Sequence, residues 1–190
     1  MSLLEDLLGL LLYKPAGPGA DVTIPLGSGY SVEADRAAAA ARLRAACDAA
    51  IGNPAWAPGQ PGPADTHCNG AAAEIAAAAA GYGKLAGHLA DKQIAIIRGD
   101  PDWREDTMER LSEHAQRGGL GFATLEEYPH GHLAAGYPDP MEASDSWGGA
   151  LVPVIANVGH ANKRCKLSGG FLEHQRPLIR FYLYKPEATA

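Results

Sequence analysis

Cys68 stands in the stretch "DTHCNG", where a long proline- and glycine-rich loop gives way to an alanine-rich apolar run. A thiol is a useful nucleophile only as the thiolate, and the first turn of a helix favours the thiolate through its dipole and its free amide groups. Those amides also stabilise negative charge that develops on a substrate carbonyl oxygen. A buried cysteine is equally a common small core residue, so the chemical reading requires a base. The chain has seven histidines. His88 and His114 lie in helical patterns among charged residues, His174 lies in a polar turn, and His67 adjoins Cys68 too closely in sequence to face it. His160 follows a predicted strand and competes. His132, in "PHGHLAAGYP", begins a predicted strand, where a sheet can hold its ring. It shares a face with Ala134 and Gly136, whose small size leaves room for a helix and a substrate to approach.

An imidazole base needs a third group to orient it. Asn157, in "VPVIANVG", is a polar residue in a strongly apolar run. A buried amide requires partners: its oxygen either accepts from one ring nitrogen of His132, leaving the other for the thiol, or makes a structural bond to a turn. Cys68, His132 and Asn157 fall in the order helix, strand, next strand, an order suited to thiol–imidazole catalysis.

These residues need a scaffold. "SVEADRAAAAARLRAACDAAIG" predicts a helix with Ser31 as cap, Glu33 and Asp35 near its positive end and Gly52 as its stop. A second helix is predicted from Cys68 to Ala80, ending at Gly81 or Gly83. A third is expected in "DPDWREDTMERLSEHAQRGG", capped by Asp100 or Asp102 and closed by Gly118. After Gly119, "LGFATLEE", "GHLAAGYP", "ALVPVIANVG" and "PLIRFYLYKP" read as four strands. Helices followed by strands predict an α+β domain with an antiparallel sheet. Residues 1–30 read as an amphipathic helix from Ser2 to Leu12, which packs on the body of the domain or offers a partner surface, then an extended segment with a short strand around Val22–Pro25. Residues 31–190 read as a single domain.

The chain's 190 residues suit one domain with a real core, and 46% apolar content argues against disorder. A formal net charge of −6 disfavours nucleic acid, whose phosphates require a basic face. Three cysteines make no disulfide framework; Cys47 reads as core and Cys165 as a loop thiol. The leucine-rich start is too short to span a bilayer, and it lacks the basic region and cleavage site of a signal peptide.

The segment from Gly52 to Gly159 resembles the NlpC-type and CHAP-type papain-like cell-wall hydrolases. Gly52, Pro54 and Trp56 match the loop before the nucleophile, and Cys68, Asn69 and Gly70 match the motif that opens its helix. "GHLAAGYP" is similar to the strand that carries the base, and "ANVG" falls at the place of the third polar residue. His67 stands where the NlpC branch commonly has Asp, Asn69 replaces Ser, and the insertion "DPMEASDSWGGALVP" is long. The resemblance implies a papain-like fold, with N-terminal helices packed on a C-terminal antiparallel sheet, and a Cys68–His132–Asn157 triad. It implies a cysteine peptidase or amidase acting on peptidoglycan or muropeptides, as a stem-peptide endopeptidase or an N-acetylmuramoyl-L-alanine amidase. His67 or Asn69 would assist the oxyanion. Trp56 and Trp147 are candidates to contact substrate, Trp147 being equally placed to act as a hydrophobic plug. No metal or cofactor is needed. With no export signal in the chain, action at the wall implies delivery by a secretion system, a phage origin, or a leader lost from this sequence, with any carrier or immunity partner unidentified.

Three alternatives stand beside this reading. A zinc hydrolase would use His130 and His132 with His160 or Cys165, although Pro129 interrupts that strand and no glutamate-containing zinc motif accompanies it. The same triad would serve an acyltransferase of transglutaminase type. The fold would also suit a non-catalytic domain.

Overall fold

Alanine and leucine favour helix, and the first element shows how they are spent. In the computed structural model, which describes residues 32–57, 67–127, 131–159 and 161–185, helix α1 spans Val32–Gly52. It buries Leu43, Ala46, Cys47 and Ala50, one stripe at helical spacing. Helix α2 spans Cys68–Ala80 and buries Cys68, Ala71, Ala72, Ile75 and Ala76. It ends at Gly81, whose φ of 66° only glycine adopts at little cost, and whose amide covers the carbonyls of Ala76 and Ala77. The expected helix from Ser2 to Leu12, the strand near Val22, the Ser31 cap, His130 and His160 lie outside the described residues.

The next segment corrects the predicted third helix. Helix α3 spans Ala90–Gly99, strand β1 spans Trp103–Asp106, and helix α4 begins only at Met108 and runs to Gln116. Thr107 caps α4, its hydroxyl accepting from the Arg110 amide at 3.3 Å. Asp100 starts no helix and is instead the C-cap residue of α3, its amide donating to the Ile97 carbonyl. Its carboxylate accepts from the Tyr82 hydroxyl, the Lys84 ammonium and the Asp102 amide, which holds its pKa down at about 2, the Lys84 bond contributing most.

Strands β2 (Gly121–Leu125), β3 (His132–Gly136), β6 (Val154–Asn157), β7 (Lys163–Lys166) and β8 (Arg180–Tyr184) join β1 in one sheet, in the order β1-β8-β2-β3-β6-β7. Every pairing in it is antiparallel. The fold class is therefore α+β, with helices and a six-stranded antiparallel sheet. The single strand expected over 150–159 is broken at Pro153, which has no N–H for a ladder. Its first part, β5 (Ala150–Val152), pairs instead with β4 (Glu142–Ser144) in a separate ribbon. Cys165 lies within β7 rather than in a loop.

Both faces of the sheet are covered. Leu133, Ala135, Val154, Ala156 and Val158 join α1, α2 and α3 in one apolar cluster. Ala134, Ile155, Ala123 and Leu125 join Leu111 of α4, Trp147, Leu167 and Phe171 in another. Alternate residues of each strand thus enter opposite cores. The consequence for the site is that α2 lies over the Leu133 and Ala135 face. The helix that approaches the small-residue face at Gly136 is α4, through Leu111 and Ala115.

Candidate active site

β3 begins where β6 ends, and the candidate residues gather at that edge of the sheet. The β3–β6 register pairs Ala135 with Ala156 and Gly136 with Ile155. Strand alternation then places His132 and Asn157 on one face, on adjacent strands. Their side chains meet: His132 Nε2 lies 2.8 Å from Asn157 Oδ1. Because that oxygen can only accept, Nε2 carries the proton and donates. Asn157 Nδ2 donates in turn to the Ala161 carbonyl at 3.1 Å, so this one buried amide orients the ring and fixes the turn after β6. The nitrogen left over is Nδ1, the one nearer the strand backbone. Burial lowers the His132 pKa below 6.5, outweighing the bond from Asn157, which raises it. The resting ring is neutral at pH 7 and able to accept a proton.

Cys68 comes to the same edge from α2. Its sulfur donates to the Gly131 carbonyl at 3.9 Å, in the residue before His132. On the β6 side, a Cβ on Gly159 would stand 3.9 Å from the Cys68 amide nitrogen. Gly159 has φ 135° and is closed to other residues without strain. The thiol is 1% exposed. Of the other two cysteines, burial pushes the Cys47 thiol up to about 12, and burial also raises Cys165 despite Lys163 and Arg164 nearby.

Two polar contacts from α3, which the sequence did not single out, brace these residues. Asp91 accepts from the Gly131 amide at 2.8 Å, fixing the peptide that touches the thiol. Gln93, fully buried, donates from Nε2 to the carbonyls of Asn69 and Leu85, both at 2.8 Å, and so ties the first turn of α2 to the loop behind it. A third support is the segment Ser168–Phe171. The Phe171 ring lies 5.1 Å from that of His132 and covers the imidazole–amide pair. Gly170 packs directly on Asn157, where a Cβ would fall 3.0 Å from Oδ1. Nothing in "LSGGF" ties it to an asparagine on another strand; its glycine pair before an aromatic residue was the one visible signal.

The remaining candidates have definite places. His67 is the buried N-cap residue of α2, its ring 5.9 Å from that of Trp56. Asn69 directs its amide away from the thiol, donating to the His88 carbonyl at 3.0 Å. Trp56 sits over Gly70, where a Cβ would come within 2.5 Å of the indole. This contact gives the glycine of the Cys68-Asn69-Gly70 motif a physical reason. The indole N–H donates to Glu74 at 2.8 Å, and the Trp56 carbonyl accepts from Asn162 at 2.7 Å. Trp147 is buried in the second core under the Arg176 guanidinium, in the position of a plug.

A groove of about 460 Å³ opens on His132 and Asn157. Among the described residues, no cluster of three histidine, cysteine or acidic side chains is placed to hold a metal ion, and no helix is long and apolar enough to cross a membrane. No family model matches the chain, and no curated protein matches it.

Proposed function

We propose that the chain is a papain-like cysteine hydrolase that cleaves amide bonds in peptidoglycan, with Cys68 as nucleophile, His132 as general base and acid, and Asn157 as the residue that positions the imidazole. The observation that carries the chemistry is the 2.8 Å bond between His132 Nε2 and Asn157 Oδ1. It leaves Nδ1 on the side of the ring nearer the backbone, and Cys68 reaches that backbone at Gly131. The substrate class rests on the resemblance of Gly52–Gly159 to cell-wall hydrolases.

In this reading the thiol leaves the Gly131 carbonyl, and His132 takes its proton. The thiolate attacks the substrate amide carbon. The Cys68 amide lies in the first turn of α2, where backbone N–H groups and the helix dipole stabilise the oxyanion. The carbon–nitrogen bond breaks as His132 returns the proton to the leaving amine, giving an acyl-thioester that water then hydrolyses. Asn157 keeps the ring in one tautomer and orientation throughout.

Digestion of purified peptidoglycan by the native protein and by Cys68→Ala, with soluble fragments identified by mass, tests the proposal. Fragments that depend on Cys68 support it and name the bond. If walls of several chemotypes stay intact while a thiol-directed probe labels Cys68 selectively at mildly acidic pH, the substrate class is wrong and the nucleophile stands. If the probe also passes over Cys68, the catalytic reading fails.

A further inference from the structure

The groove beside His132 has a definite chemistry. Leu125, Phe171 and Leu172 give it apolar lining, Gly169 and Gly170 add no side chains, and Glu127 and Gln175, bonded to each other, add polar groups. Leu172 is 61% exposed, an open apolar surface beside the imidazole. Glu127 is the one charged side chain among the described lining residues, and it is held in place: Gln175 donates to it at 2.8 Å and accepts from the Leu172 amide at 2.8 Å. A carboxylate can accept several bonds, so Gln175 leaves it capacity for a ligand. Cys68 is not part of this lining and meets β3 at Gly131.

That separation assigns the two halves of a substrate. The acyl half must lie at the sulfur, and the amine half must lie where the imidazole delivers its proton. The groove opens on the imidazole. Leu125 stands directly opposite His132 in the β2–β3 register. Glu127 lies two residues beyond Leu125, past the end of β2 and so at most roughly 7 Å further along the chain, the reach of about two residues of an extended peptide.

We infer that this groove is the leaving-amine site, and that it selects an amine carrying an apolar side chain beside the reacting nitrogen and a basic group about two residues beyond it. The inference rests on the reading of Cys68 and His132 as nucleophile and base. An acidic segment would place like charge against Glu127, and no cation among the described lining residues offsets it. The site also works in reverse. An amine bound there attacks the Cys68 thioester; the new carbon–nitrogen bond forms, the carbon–sulfur bond breaks, and the proton leaves nitrogen for His132 and passes to sulfur.

The test loads Cys68 with p-nitrophenyl acetate, whose own leaving group makes no demand on the groove. The acetyl-enzyme then partitions between water and added leucyl-lysine amide or leucyl-glutamate amide, with acetylated products counted by mass. The lysine acceptor is captured about tenfold more than the glutamate acceptor, since an exposed carboxylate attracts one and repels the other. Glu127→Lys inverts the preference, and Leu172→Asn, which removes apolar surface without adding charge, weakens capture of both. Equal capture by the native protein, or a preference unchanged in Glu127→Lys, overturns the assignment. If p-nitrophenol release is the same in native protein and Cys68→Ala, the nucleophile reading has failed, and the groove is judged by binding alone. Leucyl-lysine amide added to ¹⁵N-labelled Cys68→Ala then shifts Leu125, Gly170 and Leu172 resonances in a Glu127-dependent way. Absence of such shifts at millimolar ligand overturns the groove as well.

Discussion

Replacing Asn157 separates positioning from packing. The side chain is nearly buried and makes two bonds, accepting from His132 Nε2 at 2.8 Å and donating to the Ala161 carbonyl at 3.1 Å. Asn157→Leu keeps the volume and removes both. It leaves an imidazole N–H and a backbone carbonyl without partners, at roughly 1–3 kcal/mol each. The leucine returns part of that through apolar burial, so the net loss is about 2–4 kcal/mol, a large share of a typical domain's stability. Denaturant unfolding reads it as a lower midpoint at unchanged slope. The imidazole itself responds with a sign. The bond from Asn157 raises the His132 pKa against the stronger lowering by burial, so Asn157→Leu drives the ring's NMR titration midpoint further below 6.5. Asn157→Asp sets a carboxylate against the ring and moves the midpoint up. Because burial already holds His132 low, the unfolded chain takes up the proton first on acidification, and this residue removes stability as pH falls below 6.5. On hydrolysis, a ring free to turn costs roughly 10²-fold in kcat with little change in KM. Midpoints that shift the same way in both variants, or a Leu variant as stable as native, would refute the reasoning.

Asp100, with its carboxyl held at about 2, adds stability that is complete above the ordinary carboxylate pKa and fades as pH falls from about 4 toward 2; the stability gap between native protein and Asp100→Asn closes over that window, as acid-dependent unfolding will show. Gly70→Ala places a methyl 2.5 Å from the Trp56 ring and costs about 1–3 kcal/mol despite alanine's better helix propensity, with a red shift of Trp56 fluorescence. In a Trp56→Ala background the same change turns stabilising by up to about 1 kcal/mol, and a penalty that persists there would show that the indole is not the obstacle. Thr107→Ala removes the α4 cap and costs about 0.5–2 kcal/mol by thermal or denaturant unfolding, whereas Asp102→Ala leaves α4 intact.

The elements legible in the sequence were those with a single strong signal. Cys68–Ala80 is bounded by an alanine run and a glycine that must turn left, and the strands at Gly121, His132 and Arg180 are apolar runs between turn residues. β1 was not legible because "WRED" is polar and leads without a break into a good helix former. Only its pairing with β8, about 80 residues away, makes it a strand. β7 is an edge strand of mostly charged residues, "KRCK", and carries no apolar pattern for the same reason. Asn157 was visible as a polar residue in an apolar strand, and the bond to His132 follows from strand alternation. The supports from Asp91, Gln93, Gly170 and Phe171 were not visible. They lie on elements whose contact with the candidate site exists only in three dimensions.

The sheet order also dictates a timetable. β8 is the last strand along the described chain, yet it sits inside the sheet between β1 and β2, second from one edge. Cys68 and the carbonyl it touches are 63 residues apart, and Phe171 closes over His132 from a segment later still. A ribosome releases the thiol, the imidazole and the amide in that order, long before the strand that joins the two parts of the sheet emerges. The cover at Phe171 and then β8 follow all three in the chain, so the pieces that frame the candidate site come last in synthesis.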